Sequence, residues 1–202
     1  MPTAVTERPY RPVPVEPARK RWTREEYQAI YDLGVWDQQR FELIEGELIV
    51  QMPKSRPHTN VLVAVQAWLV QVFGAQYVNP ETTIDVAPED NPTSEPQPDL
   101  IVLVKSSWEI KEENPKPEDL RLVIEISDST LGFDLTAKAG LYARARISEY
   151  WVFDVPARRL VVHRDPQNGL YKSIAVYRDK EAVAPLAAPD QEFRISAAFV
   201  GV

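Results

Sequence analysis

Two short apolar runs, each carrying one acidic residue near an end, constrain this chain most. Residues 99–104 begin with Asp99 after Pro98 and continue Leu-Ile-Val-Leu-Val. Residues 120–126 hold Leu120, Leu122, Val123, Ile124 and Ile126, with Glu125 near the close. Runs this short and this apolar suit strands buried on both faces. If the two pair antiparallel, Asp99 lies opposite Glu125 or its neighbour, at one end of a sheet. Directly opposite, the two share a face with Cβ atoms about 5 Å apart. Carboxylates that close do not both ionise cheaply without a cation. Oxygen donors of this kind suit Mg²⁺ or Mn²⁺. Spacing alone leaves open that each acid caps a strand end or pairs with an arginine.

The rest of the chain supplies elements to wrap such a sheet. Thr23 through Glu26 predicts a capped helix start, with Gly34 as its stop. Two β-rich runs flank Glu45-Gly46 and predict a hairpin that pairs Phe41 with Val50 and Leu43 with Leu48. Ser55 and Pro57 open a helix whose Val61, Val65, Trp68 and Val72 recur at helical spacing, with His58 in its first turn. Strands are expected over 77–86, 149–153, 159–164 and 170–177, and a helix over 134–146. The turns between the last strands fall at 154–158 and 165–169. The fold class is α+β, or mixed α/β: one mixed sheet flanked by helices, with an N-terminal helix and hairpin and extra C-terminal strands. Residues 1–20 carry five prolines and are expected to form a flexible arm, with 21–202 expected as a single domain.

Lys138 falls on the face of the 134–146 helix that Leu141, Tyr142 and Ala145 turn toward the core. A lysine there points inward or along the sheet end. It can steady an attacking water or the charge developing on a phosphate. Taken alone, a snorkelling lysine at a core edge is the simpler reading.

These residues resemble a known signature. Asp99 with Glu125-Ile-Ser127 is similar to the PD-(D/E)XK nuclease motif, in which an acid opens one core strand and an acid-X-Lys closes the next. Further segments agree in order: Arg40-Phe-Glu-Leu-Ile-Glu-Gly-Glu47, Ser55-Arg-Pro-His58, Gln97-Pro-Asp99, Val123-Ile-Glu-Ile-Ser-Asp-Ser-Thr130, Asp134-Leu-Thr-Ala-Lys138 and Ile147-Ser-Glu-Tyr-Trp-Val-Phe-Asp154. Over roughly 22–180 the chain resembles a large bacterial family, common in cyanobacteria and described as restriction-endonuclease-like. The resemblance implies a restriction-endonuclease-like core with its metal site at one sheet end. It implies Asp99 and Glu125 as metal-binding acids. Ser127 stands where the signature has its lysine, and Lys138 takes that role from the following helix. Glu42 and His58 match further family positions and are supporting candidates, for a second metal, a water or the loop. The implied activity is Mg²⁺- or Mn²⁺-dependent hydrolysis of DNA, in a protein that pairs as a homodimer. The alternative is a non-catalytic DNA-binding or protein-interaction subunit of the same fold.

Composition trims the choices. There is no cysteine, which excludes disulfides, thiolate zinc sites and cysteine nucleophiles. Ser127, Ser129 and Thr130 have no histidine near in sequence, so a triad cannot be argued. No apolar run reaches about 18 residues, so no membrane span is expected, and the expected compartment is the cytoplasm. The net charge of −7 argues against broad nucleic-acid binding. It is uneven: residues 81–128 carry thirteen acids and four bases, whereas 129–180 carry five acids and nine bases. Arg144, Arg146, Arg158, Arg159 and Arg164 of that basic block are candidates for phosphate contacts. Any DNA binding is expected to be local, metal-assisted and weak at physiological salt.

Overall fold

In the computed structural model, residues 18–35, 39–111 and 113–202 are described. Most of the expected proline arm, residues 1–17, lies outside them. Helix α1 (Arg24–Asp32) starts in a reciprocal capping box: Thr23 Oγ1 accepts from the Glu26 N–H, and Glu26 accepts from the Thr23 N–H. Strands β1 (Phe41–Ile44) and β2 (Glu47–Val50) pair in the expected register. Their turn puts both Glu45 and Gly46 at positive φ, 50° and 77°, the pattern of a tight two-residue hairpin. Helix α2 (Arg56–Phe73) follows its Ser55 cap.

Among the described residues the central sheet has six strands: β3 (Val78–Pro80), β4 (Leu100–Leu103), β5 (Leu120–Ser127), β6 (Glu149–Asp154), β7 (Arg159–Gln167) and β8 (Leu170–Arg178). They lie side by side in chain order. Every neighbouring pair is antiparallel except β5 with β6, which is parallel. A parallel pair needs a crossover, and helix α3 supplies it. It begins as Leu131–Phe133, passes through a π-helical stretch Asp134–Lys138 and ends as Ala139–Arg144.

Alternation along the strands sorts the core into two layers. Leu100, Val102, Leu122, Ile124, Ile126, Trp151 and Phe153 face α2 and the C-terminal tail. Ile101, Leu103, Val123, Tyr150 and Val152 face α3. The run Tyr150 to Phe153 is wholly buried, so it serves the core and presents nothing to a partner.

Some expected boundaries move. The strand over 77–86 ends at Pro80. Glu81 turns the chain with φ 46°, and Ile84 and Val86 cross to the α3 side as buried loop residues. Their apolar character marks burial rather than pairing. The helix placed at 134–146 begins three residues earlier, at Leu131. Strands β7 and β8 run up to a two-residue Asn168-Gly169 turn: Pro166 and Gln167 pair with Tyr171 and Leu170, while Asp165, at φ 58°, interrupts the ladder. A short pair, β9 (Ala182–Val183) with β10 (Phe193–Arg194), closes the tail. At two residues each, it offers no periodicity to detect.

Candidate active-site cleft

The β4–β5 register pairs Leu100 with Ile124 and Ile101 with Val123. Continued by one residue, it sets Asp99 against Glu125. Asp99 Oδ2 accepts the Ile126 N–H at 2.8 Å, which fastens the start of one strand to the end of the other. Both carboxylates line a cleft of about 630 Å³ at this sheet end, together with Glu42, His58 and Lys138.

Each of those three arrives for a local reason. The β1–β2 hairpin is held to the loop before β4 by a bridge between Leu43 and Glu95, and Glu42 Oε1 accepts the Gln97 N–H at 2.7 Å. That contact drops Glu42 beside the end of β5. The Ser55 hydroxyl caps α2 and donates to Asp128 Oδ2 at 2.6 Å, so the helix start is tied to the loop after β5. His58, in the first turn, then reaches Asp99 Oδ2 with Nε2 at 3.2 Å. Its Nδ1 is buried and has no hydrogen-bond partner among the described residues. Lys138 comes from the end of the π-helical stretch in α3. Its Nζ donates to Glu125 Oε1 at 2.9 Å and lies 3.0 Å from Glu42 Oε2. Tyr142, one turn on, donates its hydroxyl to Glu125 Oε1 at 3.1 Å.

The π stretch has its own anchors. The Ala139 N–H reaches back five residues to the Asp134 carbonyl, which also accepts the Tyr150 hydroxyl at 3.1 Å. Ser127 and Thr130 donate their hydroxyls to Asp134 Oδ2 at 2.8 and 2.7 Å. Ser127 is therefore fully buried as a clamp on α3 and makes no contact with Asp99 or Glu125 through its hydroxyl. Single π turns of this kind recur at functional sites.

The electrostatics are those of acids sharing too few cations. Burial would raise the Asp99 carboxyl, but His58 and Lys54 outweigh it and hold the group at about 2. Burial pushes Glu125 well above the usual carboxylate range; Lys138 pulls it back, while Asp134, Asp99 and Glu42 push it further up. Burial disfavours the Lys138 charge, yet the carboxylates around it keep the ammonium firmly protonated.

Sequence reasoning missed Lys54 and Glu81. Lys54 Nζ sits 2.8 Å from Asp99 Oδ1 and 2.6 Å from Glu81 Oε1. Burial works against the Lys54 charge, and Asp99 and Glu81 more than compensate. The available signal was position: Lys54 directly precedes the Ser55 cap of the helix that delivers His58. Nothing local pointed to Glu81.

The five arginines stand elsewhere, and none lines the cleft. Arg144 binds Asp90 at 2.7 Å and Glu45 at 2.6 Å, tying α3 to the hairpin turn. Arg158 donates to the Val202 carbonyl and lies over the Phe199 ring. Arg159 pairs with Asp154 at 2.7 Å, and Arg164 with the fully buried Glu149 at 2.6 Å. Arg146 is exposed, at φ 58°, beside a shallow polar depression.

Among the described residues no three His, Cys, Asp or Glu side chains cluster as a ready metal cage. The donor chemistry still fits a hard divalent cation. Mg²⁺ is commonly held by one or two carboxylates, with water and substrate phosphate completing the shell. Asp99 and Glu125 supply two such groups to one open cleft.

Comparison with known proteins gives the family and the fold. The family model Uma2, described as "Putative restriction endonuclease", matches residues 24–198. No curated protein matches the chain. Among solved structures, a nuclease of the DUF820 group from Anabaena variabilis, described as putative, superposes with a TM-score of 0.60 at 18% identity. The match covers 79% of this chain and 89% of that one. At that identity it establishes the shared restriction-endonuclease-like fold. No helix among the described residues is long and apolar enough to cross a membrane.

Proposed function

Because the chain belongs to the Uma2 family, we propose that it is a divalent-metal-dependent endonuclease that hydrolyses DNA phosphodiester bonds at this sheet end. One observation carries the reading: Asp99, Glu125 and Lys138, from two strands and the crossover helix, converge on one cleft. Asp99 and Glu125 would hold Mg²⁺ or Mn²⁺. When bound, such an ion supplies Lewis acidity at the phosphate and a water of lowered pKa. Lys138, fixed by Glu42 and Glu125, keeps a buried ammonium at the cleft floor, where it orients a water or faces developing negative charge. His58 holds Asp99 in place from the start of α2. A homodimer, setting one cleft against each strand of a duplex, belongs to the same proposal.

The test is a panel of plasmid, linear duplex, single-stranded DNA and RNA, each with Mg²⁺ or Mn²⁺. Cleavage of DNA by the native protein is expected, and its loss in Asp99→Ala and in Glu125→Ala with the circular dichroism spectrum unchanged. Cleavage that survives both substitutions would refute the site.

A second reading has its own support. Both acids already have partners from within the chain: Asp99 holds Lys54 and His58, and Glu125 holds Lys138 and Tyr142. A self-compensated cleft also suits a non-catalytic DNA-binding or protein-interaction subunit. Duplex binding without cleavage under every metal would select it.

A further inference from the structure

Two side chains hold Asp99, His58 and Lys54, and they differ in freedom. His58 is buried in the first turn of α2, and its position is set by the Ser55 cap. Lys54 lies on the connection from β2 to α2, and its side chain keeps 32% of its surface exposed. It touches two carboxylates at once: Asp99, only 12% exposed at the cleft floor, and Glu81, 38% exposed at the rim. Glu81 is presented there by a left-handed backbone, φ 46°, immediately after β3. A non-glycine residue in that conformation is uncommon and is retained where surrounding structure demands it. On the Asp99 carboxylate, Oδ2 already accepts from Ile126 and faces His58, so Oδ1 is the oxygen open to the cleft, and Lys54 sits on it.

We propose that Lys54 is a displaceable counter-ion: it occupies Asp99 Oδ1 while the cleft holds no divalent cation, and it withdraws to Glu81 when one binds. This rests on the reading that Asp99 is a metal ligand. Lys54 then sets the threshold for cation binding, and Glu81 is the seat that makes the exchange possible. The withdrawn ammonium remains at the rim beside Glu81. Lys54 is a positioning residue in this scheme. It acts on the carboxylate, and its effect is visible without turnover.

The experiment titrates the full-length protein with Mn²⁺ alone and follows free Mn²⁺ by electron paramagnetic resonance. Removing a positive charge about 5 Å from a divalent ion in a solvated cleft should tighten binding on the order of tenfold. Lys54→Met, which keeps the aliphatic stem, is expected to show that gain, and Lys54→Gln to repeat it. Glu81→Gln should weaken Mn²⁺ binding in the native background and leave it unchanged on Lys54→Met, because the seat has lost its occupant. If Glu81→Gln weakens both backgrounds equally, Glu81 is a direct ligand and the exchange is refuted. If the native protein binds Mn²⁺ in an Asp99-dependent way and the Lys54 variants bind no tighter, the exchange is refuted while the metal reading stands. If neither native protein nor Lys54 variants bind Mn²⁺, the metal reading falls and takes the exchange with it.

Discussion

Replacing Lys138 by Met asks how much the buried ammonium matters to the fold itself. Lys138 is 5% exposed and stands between Glu42, 5% exposed, and Glu125, 4% exposed. Met keeps the stem and removes one positive charge from a pocket holding two carboxyls. Lys138 is the group that pulls the Glu125 carboxyl back down, so without it the folded variant binds up to one more proton there than the native protein. An ordinary glutamate has a pKa of 4.5. Protonating it at pH 7 therefore costs about 1.36 kcal/mol for each of ~2.5 pH units, or about 3.4 kcal/mol. That agrees with the ~3–5 kcal/mol typical of breaking a buried pair on one side. At pH 5 the same proton costs only about 1 kcal/mol. The sign is fixed: a carboxyl whose folded pKa is raised stabilises below its unfolded pKa and loses that contribution as pH rises. Urea unfolding of native protein and Lys138→Met at pH 7 and pH 5, followed by tryptophan fluorescence and circular dichroism, measures both gaps. The melting temperature at pH 7 should fall by roughly 7–14 °C for a domain of this size. A gap below about 1 kcal/mol at pH 7, or an equal gap at both pH values, would show that the glutamates are not relying on this ammonium.

Other substitutions probe separate claims. His163 is 2% exposed, its Nδ1 has no hydrogen-bond partner among the described residues, and it is packed against Tyr150 and Tyr171; burial holds its pKa below 6.5. The unfolded chain therefore takes its proton first, and stability is lost as pH falls below 6.5 toward the folded value. His163→Phe should flatten the stability profile between pH 7.5 and 5.5, and an unchanged profile would disprove this. Gly46 has φ 77°, and an added Cβ would lie 2.9 Å from Arg21 Cβ and 3.3 Å from the Trp22 carbonyl oxygen. Gly46→Ala should cost about 1–3 kcal/mol in urea unfolding. Gly132→Ala, in α3 with nothing within 4 Å of the new methyl, should be neutral or stabilising in the same assay.

Legibility followed the range of the interaction. The Thr23–Glu26 capping box, the Glu45-Gly46 hairpin and the Ser55 cap were readable because each is chemistry within a few residues. The acids at the ends of β4 and β5 were readable because their apolar neighbours fixed the strands. The π turn was not, since Asp134 and Lys138 stand four apart and satisfy an ordinary helix equally well. Ile84 and Val86 were mistaken for strand because burial and pairing leave the same apolar trace. Lys54 on Asp99 and Arg144 on Asp90 join residues 45 and 54 positions apart, and no local pattern encodes such meetings.

The arginine pairings bear on how this surface would meet a polyanion. A guanidinium that approaches a phosphate with its charge free displaces condensed counter-ions, and their release steepens the salt dependence of binding. Arg144, Arg159 and Arg164 each arrive with a carboxylate of their own. Such a pair carries little net charge, so it displaces few ions. Arg159 and Arg164 pair with acids of residues 129–180 themselves, and Arg144 takes Asp90 and Glu45 from outside that block, so none of the three offers an unpaired charge. A duplex reaching the cleft would be held by few counter-ion exchanges, and a plot of log affinity against log salt would be shallow.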